Sequence, residues 1–313
     1  MSEVSKYVQR CVTLASLLEV SAYPKPGNVH RTRDHPDTRF EHFLAGGVAM
    51  GEAMRSLAAQ GYKAEQETIL WRDVGLGGYI LRAVQDTLAW QKGGNVNLGI
   101  ILLSAPISTA AGALNADDKL DLTELRDRTR HVIKTTTPAD AVAVYKAIGM
   151  AMSPETLGRS DELDVLDEAS EATIRNESYN LYDVFSMGAE RDIICREYVT
   201  GYSVTFDSGY PYLLNALEEH DTNTAIVNTF LHILSENPDT LITRKVGEEK
   251  AKWVSNRASD ILLNGGATTE KGLELLDALD QELQEAEGTL NPGSTADLTA
   301  ASIFLTLLDG WRP

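Results

Sequence analysis

Apolar residues recur along this chain at helical spacing. Val8, Cys11, Val12, Ala15 and Leu18 fall on one face of a first helix. That helix must stop before Pro24-Lys25-Pro26-Gly27, because a proline ring blocks the helical ladder of amide hydrogen bonds. Thr38-Arg39-Phe40-Glu41 has capping-box spacing and predicts a second helix to about Gln60, with Gly61 as its stop. A third stripe runs from Ile69 to Trp90 and ends at Gly93-Gly94, and an apolar helix follows from Leu98. Thr137-Pro138 reads as an N-cap and first-turn proline for a helix through Met150. Further stripes cover roughly 189–199, 211–217, 224–234, 251–263, 273–283 and 296–308. Period-two alternation is almost absent, and Tyr202 to Phe206 is the best strand candidate. The expectation is an all-α fold of ten to a dozen helices: one globular multi-helix domain spanning 1–313, without linker, repeat or heptad array.

Composition narrows this picture. The chain has 313 residues, 43% of them hydrophobic, enough for a core that needs no staples. Lys+Arg is 28 and Asp+Glu is 46, a net charge of −18. Such a chain repels a phosphate backbone, which argues against nucleic-acid binding, and an anionic small molecule needs a local basic site. Two cysteines, Cys11 and Cys195, cannot build a disulfide scaffold. The N-terminus lacks the basic start and apolar block of a signal peptide. The most apolar run, Leu98 to Ala105, is far short of the ~20 residues a membrane span needs. The expected location is cytoplasmic. Ser160 to Glu171 carries six acids and no base, and reads as an exposed loop or a solvated helix face. Phosphate-loop, zinc-protease and nucleophile-elbow signatures are absent, and Gly75-Leu76-Gly77-Gly78 lacks a strand before it.

Four segments carry candidate chemistry. Glu19 to Arg31 includes a loop stiffened by two prolines; Lys25 to Arg39 holds four cations and two acids. Lys25, Asn28 and His30 on such a loop suit a polyphosphate or its Mg²⁺, although a plain helix connector would look the same. Gly93 to Gly99 places Asn95 and Asn97 before an apolar helix, either as an anion site or as two caps back to back. Asp239 precedes Arg244-Lys245, and Arg244 to Arg257 holds five cations against two acids. Asn291-Pro292-Gly293-Ser294 precedes a last helix. Ser294 and Asp297 have cap-like spacing, while free backbone amides there could hold a phosphate with Asp297 beside it.

These segments, in this order from residue 19 to residue 298, resemble the triphosphoribosyl-dephospho-CoA synthase family. The resemblance implies an all-α transferase. It would join the triphosphoribosyl group of ATP to the ribose 2′-hydroxyl of 3′-dephospho-CoA and release adenine. It assigns Lys25, His30, Arg244 and Lys245 to the triphosphate. Glu19, Asp239 and Asp297 become candidates for Mg²⁺ binding or acid–base chemistry. Asn28, Asn95, Asn97 and Asn291 would orient hydroxyls or phosphates, and Gly27, Gly99, Gly293 and Ser294 would bind substrate beside them. Residues 25–30, 95–99, 239–245 and 291–297 should then converge on one cleft. A homodimer is carried as a candidate assembly. One departure is visible: bacterial members read Asn-Thr-His-Lys-Gly where this chain has Asn95-Val96-Asn97-Leu98-Gly99, the mark of a divergent, archaeal-type branch. Two other readings stay open: a nucleotide N-glycosidase or ribosyl transferase with another acceptor, and a catalytically silent nucleotide-binding protein.

Overall fold

Helical spacing becomes helix almost throughout the computed structural model, which describes residues 3–114, 120–152, 163–165 and 167–313. Among the described residues there are fifteen α-helices and no strand, only an isolated bridge between His30 and Arg33. The first six are α1 (Glu3–Ser21), α2 (Phe40–Glu65), α3 (Leu76–Trp90), α4 (Leu98–Ala113), α5 (Leu122–Lys134) and α6 (Pro138–Ala151). The middle set is α7 (Glu168–Asn176), α8 (Leu181–Gly188), α9 (Ile193–Thr200), α10 (Tyr210–Glu219) and α11 (Thr222–Glu236). The chain ends with α12 (Thr240–Val246), α13 (Glu248–Leu263), α14 (Glu270–Gln284) and α15 (Gly293–Leu308).

The extra helices are short or polar. α7, α8 and α12 span nine, eight and seven residues, too few to print a periodic stripe. Their caps define them: Asp167, Asn180 and Asp239 each accept backbone N–H groups of the first turn. Of the acidic run, Ser160 to Glu162 lie outside the described residues; Asp167 is a cap, and Glu171 pairs with Lys146 on an exposed face.

Three local expectations are corrected. Thr38 does not cap α2. Arg39 does, its amide donating to His42 Nδ1 at 3.1 Å, while the Thr38 hydroxyl donates to the Gly93 carbonyl. Gly61 does not end α2, which runs on to Glu65. Tyr202 to Phe206 is not a strand. Gly201 and Tyr202 both take positive φ, and the chain then forms a π-helical turn over Thr205–Gly209. The buried Glu197 carboxylate holds that turn, accepting the amides of Val204 and Thr205 at 2.8 and 2.9 Å.

The core is organised around α4 and α15. Nearly every side chain of α4 is buried, as expected of a helix that is apolar on all sides. α15 is buried along most of its length and packs on α4, α1 and α11. α2 crosses α4 with almost no space between the backbones. A Cβ on Gly61 would overlap the Thr109 carbonyl, and one on Gly112 would overlap the Ala58 carbonyl. Each helix thus supplies a glycine where the other presents its main chain.

This reciprocal contact sets a test. Gly61→Ala and Gly112→Ala should each destabilise by about 1–3 kcal/mol through overpacking, despite alanine's better helix propensity. Gly78, in the interior of α3, faces open space within 4 Å. Gly78→Ala should leave the melting temperature unchanged or raise it. Thermal unfolding of the three variants checks both signs.

Candidate active site

The N-termini of α4 and α15 meet at one cavity of about 410 Å³. Its polar end is walled by Glu19, Asn28, Asn95, Asn291, Asp297 and Arg244. The rest of its inner wall is largely apolar and lined from α6, α8 and α9 by side chains such as Tyr145, Ile148, Val184, Phe185 and Ile194. The two helix ends supply partial positive charge to a region otherwise rich in carboxylates. Parts of all four sequence segments therefore converge: 28–29, 95–99, 241–244 and 291–297 all contribute lining residues.

Asp297 joins the two helix ends. It belongs to the first turns of α15, whose N-cap is Pro292 with no side-chain capping bond, so Asp297 is not the cap of its own helix. Instead it accepts the backbone N–H of Ile100 in α4 and lies against Gly99. A side chain at position 99 would overlap the carboxylate, which explains the glycine there. Asp297 is half-buried, and its desolvation pushes its carboxyl well above the usual range. The charges of Glu19, Asp239 and Asp192 push the same way, against the Ile100 amide. Its carboxyl therefore holds a proton to higher pH than an ordinary aspartate does, against the anion that a helix N-terminus alone would favour.

Lys25 is only 1% exposed, does not line the cavity and forms a buried ion pair with Glu19. The expectation of an accessible phosphate-binding lysine is therefore corrected: Lys25 sits behind the wall. Burial pushes the Glu19 carboxyl up and the Lys25 ammonium down, and each charge opposes the other's shift. His30 is also behind the wall, 3.6 Å from Asp280. Gly27, at φ +73°, donates its amide to Asp280 and lies too close to Leu283 and the Leu290 carbonyl for a side chain. These residues fix the loop that presents Asn28.

The third segment divides. Asp239 caps α12 and also accepts the amide and hydroxyl of Thr295, both at 2.8 Å. Its oxygens are filled by four donors, so it is a clamp between α12 and α15 and has no place for a metal. Arg244 faces the cavity and pairs with Asp192, which caps α9. Lys245 points to another side, where it donates to the Gly288 carbonyl at 2.9 Å.

The Asn-rich turn divides too. Asn95 lines the cavity and caps α4 by accepting the Leu98 amide at 3.1 Å. Asn97 is buried away from the cavity: its amide oxygen accepts the Gly47 N–H and its nitrogen donates to the Val96 carbonyl, both at 2.8 Å. Leu98, not Asn97, reaches the cavity wall. Ser294 lines the cavity beside Gly293, its hydroxyl 3.1 Å from that of Thr240.

The motifs did not signal Arg191, Asp192 or the apolar inner wall. Asp192 had one usable sign, an acid just before the apolar pair Ile193-Ile194, which marks a helix start. Cys195 is an inner-wall residue whose thiol burial pushes well above its usual value. Three buried polar atoms on cavity residues have no hydrogen-bond partner among the described residues: Asn28 Nδ2, Asn291 Oδ1 and Arg244 Nε. Leaving such groups unpaired costs about 1–3 kcal/mol each, so these three are candidate contacts for a ligand.

Known proteins resemble this chain over most of its length. A synthase from Klebsiella pneumoniae, named 2-(5″-triphosphoribosyl)-3′-dephosphocoenzyme-A synthase, is 25% identical over 309 residues, covering 96% of this chain and 90% of its own. A Salmonella gallinarum protein assigned the same activity is 24% identical over 304 residues, covering 94% of this chain and 88% of its own. The crystal structure of an Archaeoglobus fulgidus protein, assigned as a triphosphoribosyl-dephospho-CoA synthase, superposes with a TM-score of 0.64 at 28% identity. It covers 88% of this chain and 100% of its own. Residues 5–313, nearly the whole length, match one family description, so this chain belongs to the CitG family, ATP:dephospho-CoA triphosphoribosyl transferase.

Proposed function

We propose that this transferase moves the triphosphoribosyl group of ATP to the ribose 2′-hydroxyl of 3′-dephospho-CoA and releases adenine, in the cytoplasm. The observation that carries the proposal is the junction of two long helix N-termini, with Asp297 between them, in a chain of this family. Backbone amides at such ends suit the triphosphate, and Arg244, with Arg191 beside it on the wall, supplies the cations that Lys25 and Lys245 do not.

Mg²⁺ would arrive on the triphosphate. Such an ion takes one or two protein carboxylates and keeps its other ligands from phosphate and water. Among the described residues no three His, Cys, Asp or Glu side chains converge as a metal cage. Of the three carboxylates the sequence put forward, Asp239 does not fit, its oxygens being filled. Glu19 fits: one oxygen takes the Lys25 ammonium and the carboxylate lies on the cavity wall. When bound, the ion would neutralise phosphate charge. Asp297 then has a different task. Lining the cavity with a carboxyl raised above the usual range, it is the candidate acid that protonates adenine as the bond to ribosyl C1 breaks.

The direct test is incubation with ATP, Mg²⁺ and dephospho-CoA, followed by mass analysis. Free adenine together with the triphosphoribosyl adduct is expected. Adenine released without dephospho-CoA would favour the N-glycosidase reading, and ATP binding without adenine release the silent one.

Asp297→Asn tests the acid. The amide oxygen can still accept the Ile100 N–H at nearly the same volume, so the melting temperature should stay near the parent's. Turnover should fall by about 10²-fold or more, the scale of a lost acid–base catalyst. In the parent, kcat should decline as pH rises through the raised Asp297 value, because the protonated form works, and that limb should vanish in the variant. A variant turning over at the parent rate would leave Asp297 as a bracket between α4 and α15.

A further inference from the structure

The cavity's two orphaned amides are complementary. Asn28, 5% exposed, offers an unpaired donor at Nδ2, and Asn291 offers an unpaired acceptor at Oδ1. They come from loops 263 positions apart in sequence that pack against each other. The Gly27 backbone lies against the Leu290 carbonyl, and the Gln284 side chain fastens the Asn28 carbonyl at 2.9 Å. The sequence alone assigns these asparagines to hydroxyls or phosphates without choosing. Phosphate oxygens only accept hydrogen bonds, so a phosphate would leave Asn291 Oδ1 unpaired. A hydroxyl both accepts and donates, and the adjacent hydroxyls of a ribose satisfy both atoms together.

Position within the cavity points the same way. Asn291 lies two residues before Gly293, where α15 begins and where the triphosphate is placed above. The group joined directly to a nucleoside triphosphate's phosphates is its ribose; the base lies one ring further on, toward the apolar inner wall. We infer that Asn28 and Asn291 together read the ribose hydroxyls of the triphosphate donor, making the site select ribonucleotides over deoxyribonucleotides. This rests on the reading of ATP as donor. Arg244 Nε, the third orphaned atom, is a donor only and remains for a phosphate oxygen.

The test is equilibrium binding of ATP, 2′-deoxy-ATP, 3′-deoxy-ATP and ITP with Mg²⁺, without acceptor, by titration calorimetry. In the parent protein at least one deoxy compound should bind about 10- to 100-fold more weakly than ATP, the cost of leaving a buried polar group unpaired. Asn28→Ala and Asn291→Ala should bring that ratio toward unity. Asn291→Asp keeps an acceptor oxygen and should preserve the ratio, even if its charge weakens every triphosphate alike. A ratio is taken within one protein, so partial loss of folded material in a variant cancels. A parent that binds ATP and both deoxy compounds equally overturns this inference and leaves the ATP reading intact. So do alanine variants that lose discrimination between ATP and ITP while keeping the ribose ratio, since the asparagines would then read the base. Failure of the parent to bind ATP overturns the ATP reading, and this inference with it.

Discussion

Everything at the polar end of the cavity depends on one contact, the carboxyl of Asp297 laid across the start of α4. Two sixteen-residue helices converge there with their N-termini toward the same space. Like ends of helix dipoles repel, and each end carries amides that need acceptors. Asp297 answers part of both needs by reaching from α15 to the Ile100 amide. The contact works only because Gly99 leaves room for it. With the helices locked in this way, the turns before them, Asn95 and Asn291, face each other's neighbourhood across the cavity.

A second consequence concerns charge. Several polar residues that look functional in the sequence build the wall instead of facing the ligand. Lys25 neutralises Glu19, Asp239 ties α12 to α15, and Lys245 holds the loop at Gly288. A buried pair such as Glu19–Lys25 contributes little net stability, yet losing either partner strands a charge in the interior. These residues define the shape of the site without offering spare charge to a ligand. Arg244 differs, because it meets Asp192 with one end of its guanidinium and leaves Nε unpaired beside the cavity.

The helical architecture was legible because most elements are long and one-sided. α1, α3, α10, α11, α13 and α14 each print an apolar stripe, and Thr137-Pro138 marks the start of α6 by its chemistry. Sequence periodicity failed where another force decides. Gly61 reads as a stop, but it is a helix interior position required by the Thr109 backbone, a long-range contact no local pattern records. Tyr202 to Phe206 has strand-like residues, but Glu197 folds it into a turn. Around the cavity, motif spacing picks out loops that meet there but not the direction of individual side chains. Arg244 and Lys245 are neighbours in sequence and diverge by about 100° around a helix, so one faces the cavity and the other does not. Asn97 and Leu98 divide similarly: the asparagine braces α2, and only the leucine meets the cavity. Arg191 and the inner wall carried no motif because, in sequence, apolar side chains and a single arginine look like any other surface.

The carboxylates around the cavity also bear on how fast a ligand can arrive. Among the described residues, Glu19, Asp164 and Asp192 share its wall with Arg191 and Arg244, and the whole chain carries −18. At long range this field opposes an approaching polyanion, while the attractive helix ends act only over the last few ångströms. The barrier to encounter and the affinity after docking are therefore set by different parts of the molecule. Dissolved salt screens the first over a Debye length of about 8 Å at physiological ionic strength and hardly touches buried contacts. Added salt should thus speed capture of a polyanion by this protein, the reverse of the behaviour of a basic nucleotide-binding surface.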